Sequence, residues 1–231
     1  MRLAIIIPVL NEAATIEAAL RRLLPLRERG AYVIVVDGGS HDGTLVSAAP
    51  WADRVIVARP AGARVQMNAG ARDELAQNVD VLLFLHADSV LPPEADRAIF
   101  RAISNVPRCW GRFDVTIDGS DPWLPWIARL MNWRSRASGI CTGDQAIFVT
   151  RGAFTALEGF APIPLMEDIE FSRRAGTITP PIALAQRVTT SGRRWERDGV
   201  WRTIWLMWRL RLAYFLGADP TDLARRYRDV R

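Results

Sequence analysis

The chain has 231 residues, of which 49% are hydrophobic and 24% are charged, a balance that indicates a folded globular protein and excludes a disordered or fibrous one. All 30 basic residues are arginine, which excludes chemistry that needs a Schiff-base or phosphate-loop lysine. The formal net charge of +5 lies in residues 193–231, because the preceding part has equal numbers of acidic and basic side chains. A basic segment of this kind suits a membrane surface, a diphosphate or a nucleic acid.

The cysteine content and hydropathy give a prediction of location. Cys109 and Cys141 form no disulfide framework and no CxxC pair, which indicates a reducing compartment. We find neither a signal peptide nor an apolar stretch long enough to span a bilayer. We therefore expect a cytoplasmic protein, with peripheral contact to the inner membrane face left open.

The first half of the chain alternates predicted strands and helices. Continuous apolar runs predict buried strands at 3–9, 32–37, 55–58 and 81–88. The residues between and after them predict helices at 12–24, 63–77 and 92–103, the first capped by Asn11 and followed by Pro25. This order predicts an α/β fold with a mainly parallel central sheet covered by helices on both faces.

The second half is less regular. It predicts strands at 110–118 and 145–150, and helices at 121–137, from 166 onward, and at 199–216. Because no repeat or linker is visible, we expect a single Rossmann-like domain over residues 1–198, divided into halves 1–105 and 106–198. A helical extension over 199–231 follows it.

Polar residues follow the predicted strand ends: Asn11 and Glu12 after the first, Asp37 after the second and Asp88 in the fourth. Ligands bind at the carboxyl ends of strands in open parallel sheets. Any one of these residues alone is more often a helix cap or turn residue, but the repetition favours a site. Neither GxGxxG nor GxxxxGK is present. A nucleotide would therefore be held by side chains and a divalent cation, Mg²⁺ or Mn²⁺, at Asp88.

Four segments in order resemble the motifs of family 2 glycosyltransferases, which are inverting enzymes with a GT-A fold: IIIPVLNEAATI, VIVVDGGSHDGT, LLFLHADSVLPP and MEDIEFSRR. Four further segments are similar to the small glycosyltransferases that are associated with radical-SAM enzymes and arsenosugar biosynthesis: ARPAGARVQMNAGAR, GRFDV, TGDQAIFV and SGRRWERDGVWRT. The resemblance implies that residues 1–105 form the nucleotide-binding half and residues 106–198 the acceptor half.

The resemblance also implies roles for individual residues. The nucleotide pocket would be lined by Pro8, Asn11 and Glu12, with Asp37 accepting a hydrogen bond from the base, typically uracil. Arg64 would face the nucleotide or its phosphates. Asp88 would bind the metal, Asp168 would be the catalytic base, and Asp144 would hold an acceptor hydroxyl or be a turn residue. The diphosphate would meet a remnant of the QxxRW element at Arg193, Arg194 and Trp195.

Two departures from the family pattern affect these expectations. His86 stands at the first position of the usual DxD motif, where it would coordinate the metal, bind the ribose or pack as a core residue. The RRW segment lacks the full QxxRW spacing, which favours a single sugar transfer over polymerisation. A sugar nucleotidyltransferase and a non-catalytic nucleotide-sugar binder remain alternatives. The donor would be a nucleotide sugar, most simply a UDP-sugar, and the acceptor a small molecule or lipid.

The predicted helix at 199–216 is amphipathic. One face carries Trp201, Trp205, Trp208, Leu212 and Phe215, and another carries Arg202 and Arg209. An aromatic face flanked by arginines suits a bilayer interface. The same pattern suits packing on the protein's own core or on a second copy in a homodimer, which is the commoner explanation. Acidic residues mixed among the arginines argue against nucleic-acid binding.

Overall fold

The computed structural model describes residues 1–104 and 106–229. In this part of the chain eight strands form one sheet, in the spatial order β3-β2-β1-β4-β7-β6-β8-β5. The strands are β1 (Leu3–Val9), β2 (Tyr32–Asp37), β3 (Arg54–Val57), β4 (Val81–Phe84), β5 (Ser89–Val90), β6 (Trp110–Asp118), β7 (Phe148–Thr150) and β8 (Ile182–Ser191). Within the sheet β7 and β5 run antiparallel to their neighbours, and the other neighbouring pairs are parallel. The predicted α/β fold with a mainly parallel sheet is confirmed.

Helices cover both faces of the sheet. They are α1 (Ile16–Arg21), α2 (Leu24–Glu28), α3 (Thr44–Ala48), α4 (Ala63–Arg72), α5 (Glu74–Gln77), α6 (Ala95–Ile103), α7 (Leu124–Ser138), α8 (Arg151–Ala156), α9 (Glu167–Ala175), α10 (Arg193–Asp198), α11 (Val200–Phe215) and α12 (Pro220–Asp229). Successive strand residues point to opposite faces. Ile5 and Ile7 therefore pack in one core with α1 and α6, whereas Ala4 and Ile6 pack in a second core with α4 and α8.

A third apolar cluster attaches the C-terminal helices to the sheet domain. Its buried members are Met166 and Ile169 at α9, Leu210 of α11 and Leu223 of α12. The contacts hold one face of α11 against the start of α9. No helix in the described residues is long and apolar enough to cross a membrane.

Three predicted boundaries were wrong. Asn11 does not cap the first helix, because its φ is 55° and the helix begins only at Ile16, after Thr15. The strand predicted to reach residue 88 ends at Phe84, so Asp88 lies in the turn before β5. The strand predicted from residue 145 begins at Phe148, because a 3₁₀ turn occupies Gly143–Gln145.

Candidate functional site

The loops after β1 and β2 are tied together at the carboxyl edge of the sheet. The backbone N–H of Asn11 donates to Ser40 Oγ at 2.8 Å, and Asn11 Oδ1 accepts from the backbone N–H of His41 at 3.0 Å. The backbone N–H of Glu12 donates to Thr44 Oγ1 at 2.8 Å. Pro8 pairs with the neighbouring strand one position before β1 ends. The two parallel strands thus bring these residues into one rim.

Asp37 is completely buried beneath this rim. One carboxylate oxygen accepts from the backbone N–H groups of Gly39 at 2.7 Å and Ser40 at 2.8 Å. The other accepts from the hydroxyl of Ser40. These bonds fix the loop after β2 from below, and Oδ1 accepts only the Ser40 hydroxyl among them.

Gln66 of α4 joins β1 and β2 at the same edge. Its buried side chain donates from Nε2 to the carbonyl oxygens of Val9 and Val36, both at 2.8 Å. Sequence reasoning missed this residue, although a glutamine within the apolar face of a predicted helix was a signal for it. Arg64, two residues earlier on α4, is half-buried, and its charge reaches Glu167.

The centre of the site is formed by His86, Asp88 and Asp144. His86 Nδ1 lies 3.6 Å from Asp144 Oδ1, and a Cβ on Gly143 would stand 2.5 Å from His86 Nε2. Burial disfavours the charged imidazole, but Asp144, Asp88 and Asp168 outweigh it and raise the pKa of His86 to about 9. Burial raises the pKa of Asp88 and the charges of Asp144 and Glu12 add to this, against the opposing effect of His86.

Asp168 lies at the first turn of α9 and faces the same centre. Met166 precedes the helix with a φ of 68°, and the turn directs the Asp168 carboxylate toward the 3₁₀ segment. Its oxygens accept from the backbone N–H of Gly143 at 3.2 Å and of Ile169 at 2.8 Å. Burial raises the pKa of Asp168, against a favourable interaction with Arg211. Burial and the charge of Asp168 raise the pKa of Glu167 to about 7.

The three residues of the RRW segment diverge. Arg194 stacks on Tyr227 with its guanidinium carbon 4.6 Å from the ring centre, and its charge helps to hold the pKa of Asp144 low. Arg193 is exposed on the other side, where it lines a cleft of about 270 Å³ together with Asp88. Trp195 packs against the main core. Arg194 therefore acts on Asp144, and Arg193 shares a cleft with Asp88.

Two arginines that sequence reasoning did not select also lie at this centre. Arg134 of α7 and Arg211 of α11 interact electrostatically with Asp168 and Asp144. Burial lowers the pKa of both, and the charge of Arg211 contributes to lowering the pKa of Arg134 to about 10. Each lies in a helix whose sequence pattern is dominated by aromatic residues. The pattern therefore did not distinguish these two arginines from the solvent-exposed arginines of the same helices.

The acidic centre fits a divalent cation that takes one or two ligands from the protein and the rest from phosphate oxygens and water. No group of three or more potential metal-binding side chains occurs in residues 1–104 and 106–229. Mg²⁺ commonly takes one or two carboxylates and completes its coordination with phosphate oxygens and water. Asp88 has the required chemistry, and the neighbouring carboxylates that raise its pKa represent excess negative charge that a cation would relieve.

A larger cavity lies away from this centre. It has a volume of about 510 Å³ and is lined by Met1, Asp80, Ile103 and Arg151, among others. These residues lie just before β1 and β4, at the end of α6 and at the start of α8. None of the predicted site residues lines it, so we place the functional site at the opposite edge of the sheet.

Comparison with known proteins identifies this architecture. No curated protein matches the chain. Solved structures similar to it include TarS residues 1–349 from S. aureus, with a TM-score of 0.63 and 15% identity over 83% of this chain and 61% of that one. Mannosyltransferase PcManGT from Pyrobaculum calidifontis, solved with GDP-Man and Mn²⁺, gives 0.59 and 20% over 81% and 56%.

Glucosyl-3-phosphoglycerate synthase from Mycobacterium tuberculosis, solved with Mg²⁺ and UDP, gives a TM-score of 0.54 and 19% identity over 82% of this chain and 69% of that one. At these identities the likeness establishes the fold. The family model described as "Glycosyl transferase family 2" matches residues 4–155, which is more than half of the chain. The matched part includes the β1 and β2 loops, Gln66, His86, Asp88 and Asp144. The chain therefore belongs to glycosyltransferase family 2.

Proposed function

We propose that this protein transfers a single sugar from a nucleoside-diphosphate donor to an acceptor hydroxyl, with inversion at the anomeric carbon. The observation that carries the proposal is the meeting of Asp88, Asp144 and Asp168, from three distant segments, in one partly buried acidic centre beside the β1 and β2 loops. The chain covers 61% of TarS 1–349. A structure of that fragment holds UDP-GlcNAc, and this supports a nucleotide-sugar donor here.

The donor nucleotide would lie along the rim formed by Pro8, Asn11, Glu12 and the loop that Asp37 supports. Arg64 is on the same side of the sheet edge and would meet the phosphates. Asp88 would hold a divalent cation, either Mn²⁺ or Mg²⁺. When bound, that cation would stabilise the negative charge on the leaving diphosphate.

His86 has a different part in this proposal from the metal ligand that its sequence position suggests. Its Nδ1 faces Asp144 and its Nε2 faces the backbone of Gly143. Both nitrogens are thus directed at the protein, which supports a role in fixing Asp144 beside the metal rather than in coordination. Asp144 in turn would accept a hydrogen bond from an acceptor hydroxyl.

Asp168 would act as the general base. In an inverting transfer the acceptor oxygen forms a bond with the anomeric carbon while the bond from that carbon to the diphosphate oxygen breaks. The hydroxyl proton passes to Asp168 as the new bond forms. The raised pKa of this carboxylate makes it a better proton acceptor than an ordinary aspartate.

The exposed aromatic side chains support contact with an anionic bilayer. Trp201, Trp205 and Trp208 are 64–67% exposed, so they do not pack on the protein's own core. The ring of Trp201 touches that of Trp123 at 5.3 Å, which joins them to the exposed side chains of α7. We define this aromatic surface by its exposed apolar residues Trp123, Trp126, Leu130, Trp133, Trp201, Trp205, Trp208, Leu212 and Phe215.

Charge supports a lipid surface as its occupant. Neither α7 nor α11 contains an acidic residue, and Arg129, Arg202 and Arg209 are exposed beside the aromatic rings. Tryptophan and arginine together suit the boundary of an anionic membrane. We expect the protein to float with phosphatidylglycerol vesicles, and the triple Trp201/Trp205/Trp208→Ser variant to remain unbound. Unchanged flotation of the variant would overturn this part of the proposal. So would a wild type that does not bind vesicles but forms a dimer, if the triple variant is a monomer.

Within the family, the motifs support membership of the radical-SAM-associated subgroup. Gln66 belongs to the segment ARPAGARVQMNAGAR and joins β1 to β2, and Asp144 belongs to TGDQAIFV. Both segments thus contribute to the site rather than to distant surfaces. Turnover with an acceptor from this subgroup's pathway would test the assignment, and strict preference for a polymeric acceptor would contradict it.

A donor screen tests the proposed function. Purified protein is heated with UDP-GlcNAc, UDP-glucose or GDP-mannose, each with and without Mn²⁺, and release of the nucleoside diphosphate is measured in parallel. A donor present at 100 times its Kd adds about 2.7 kcal/mol of stability, which raises Tm by about 5–10 °C in a domain of this size. A shift without release would indicate a non-catalytic binder. No shift and no release with any donor would refute the proposal.

A further inference from the structure

Two inward-facing arginines carry charge that the proposed transfer does not use. Arg134 lies on α7 and Arg211 on α11, the two helices whose other faces form the aromatic surface. Both arginines are half-buried, unlike Arg129 and Arg209 of the same helices, which are exposed. Arg134 and Arg211 thus lie on the protein-facing sides of their helices and act on each other electrostatically.

Part of the hydrogen-bonding capacity of Arg134 is not satisfied by the residues around it. Nε and Nη2 of Arg134 are shielded from solvent and form no hydrogen bond with any residue in the described part of the chain. An unpaired donor on a buried charged group is unfavourable. The nearby carboxylates have other partners: Asp144 pairs with His86, and Asp168 accepts from the backbone of Gly143 and Ile169.

We propose that Arg134 and Arg211 form a binding site for an anionic group of the acceptor, a phosphate or a carboxylate. Two guanidinium groups present planar, paired donors that match the oxygens of such a group. This inference rests on the proposed function, because it uses Asp168 to mark the acceptor side. Arg134 and Arg211 both interact electrostatically with Asp168 and Asp144, which puts them on the side of the proposed base.

A soluble ester and a lipid headgroup both present the same phosphate. The position of the arginines, behind the aromatic surface, is compatible with either source. Glycerol 3-phosphate presents the phosphate in solution, and phosphatidic acid in phosphatidylcholine vesicles presents it at a lipid surface. If Arg134→Gln loses binding to glycerol 3-phosphate alone, the acceptor is soluble. If Arg134→Gln loses binding to the vesicles, the acceptor is a lipid.

The site itself is tested by titration with inorganic phosphate. The protein is first saturated with UDP and Mg²⁺, so that the donor region is occupied, and phosphate is added to wild type, Arg134→Gln and Arg211→Gln. We expect the phosphate Kd to rise at least tenfold in both variants and the UDP Kd to stay within twofold. Arg129→Gln and Arg209→Gln are matched controls on the same helices and should leave both constants unchanged.

Several results would overturn the inference. The first is that wild type does not bind phosphate, and the second is that the Arg129 and Arg209 controls weaken phosphate binding equally. The third is a tenfold loss of UDP affinity in Arg134→Gln or Arg211→Gln, which would assign the arginines to the donor diphosphate. If the glutamine variants do not fold, Arg134→Lys keeps the charge but not the paired donors. An unchanged Kd in Arg134→Lys would then refute the site. A further result separates this inference from the proposed function. If wild type binds phosphate but not UDP, and Arg134→Gln does not bind phosphate, the proposed function fails and the anion site is retained.

Discussion

Gln66 gives the sharpest test of how the sheet edge is built. The change Gln66→Met keeps the length of the side chain and removes its polar atoms. In the wild type Nε2 donates two hydrogen bonds of 2.8 Å, to the carbonyl oxygens of Val9 and Val36. The Val9 oxygen also accepts from the backbone N–H of Gly38 at 2.9 Å, so it loses only part of its bonding.

The expected cost follows from these bonds. Leaving a buried acceptor unsatisfied costs about 1–3 kcal/mol, and with one acceptor partly satisfied we expect about 2–3 kcal/mol in total. For a domain of this size each kcal/mol lowers Tm by about 2–4 °C, which gives a decrease of roughly 5–10 °C. Because the bonds fix the gap between β1 and β2, UDP affinity should fall as well.

The assay is thermal unfolding together with UDP titration. Gln186→Met is a suitable control, since Gln186 is exposed on β8 and its replacement should change Tm by less than 2 °C. A Gln66→Met protein with wild-type Tm and wild-type UDP affinity would refute the reasoning. It would mean that the β1 and β2 ends hold their spacing without this side chain.

Three further predictions concern the acidic centre. Donor hydrolysis should increase with pH on the acidic side, because burial raises the pKa of the proposed base Asp168. The pKa of its neighbour Glu167 is raised to about 7, and Glu167→Gln, which removes that carboxylate, should move the acidic limb of kcat/KM to lower pH. Gly143→Ala should reduce turnover at least tenfold with little loss of Tm, because the added Cβ would stand 2.5 Å from His86 Nε2. Asp88→Ala should remove most of the Mn²⁺ dependence of donor affinity, measured by metal titration.

Controls and contrary outcomes for these three are direct. Gly152→Ala meets no atom closer than 3.9 Å and should leave turnover unchanged, so an equal loss there would contradict the steric explanation. A flat pH profile between 5 and 9 would show that the Glu167–Asp168 pair does not limit the rate. Mn²⁺ dependence that persists in Asp88→Ala would remove this residue as the metal ligand.

The sequence predicted the parallel half of the fold well because its strands are continuous apolar runs. Residues 3–9 and 32–37 are buried on both faces, so their pattern has no competing interpretation. The long strand β8 went unpredicted. Its central residues Ala185, Gln186 and Arg187 are exposed, and a register shift separates Phe113 from Asp114 in its partner β6. Exposure and irregular pairing removed the periodic signal.

The sequence selected the acidic members of the candidate site together with Arg64 and Arg194, but it did not select Arg134 or Arg211. Asp88 and Asp168 follow from motif order, and the structure brings their segments together. Arg134 and Arg211 carry no motif, and their burial depends on tertiary packing, which for α11 is the contact with the start of α9. With 30 arginines in the chain, only the tertiary structure could distinguish these two half-buried arginines from the exposed ones.

The most direct test of the account is the change Asp168→Asn. The amide keeps the size of the side chain and cannot accept the acceptor proton as a carboxylate does. Donor affinity, measured by titration with the nucleotide sugar that wild type binds, should stay within about threefold, while turnover should fall by 10²–10⁴, the usual contribution of a general base. Turnover within threefold of wild type would contradict the assignment of Asp168 and, with it, the proposed mechanism of transfer.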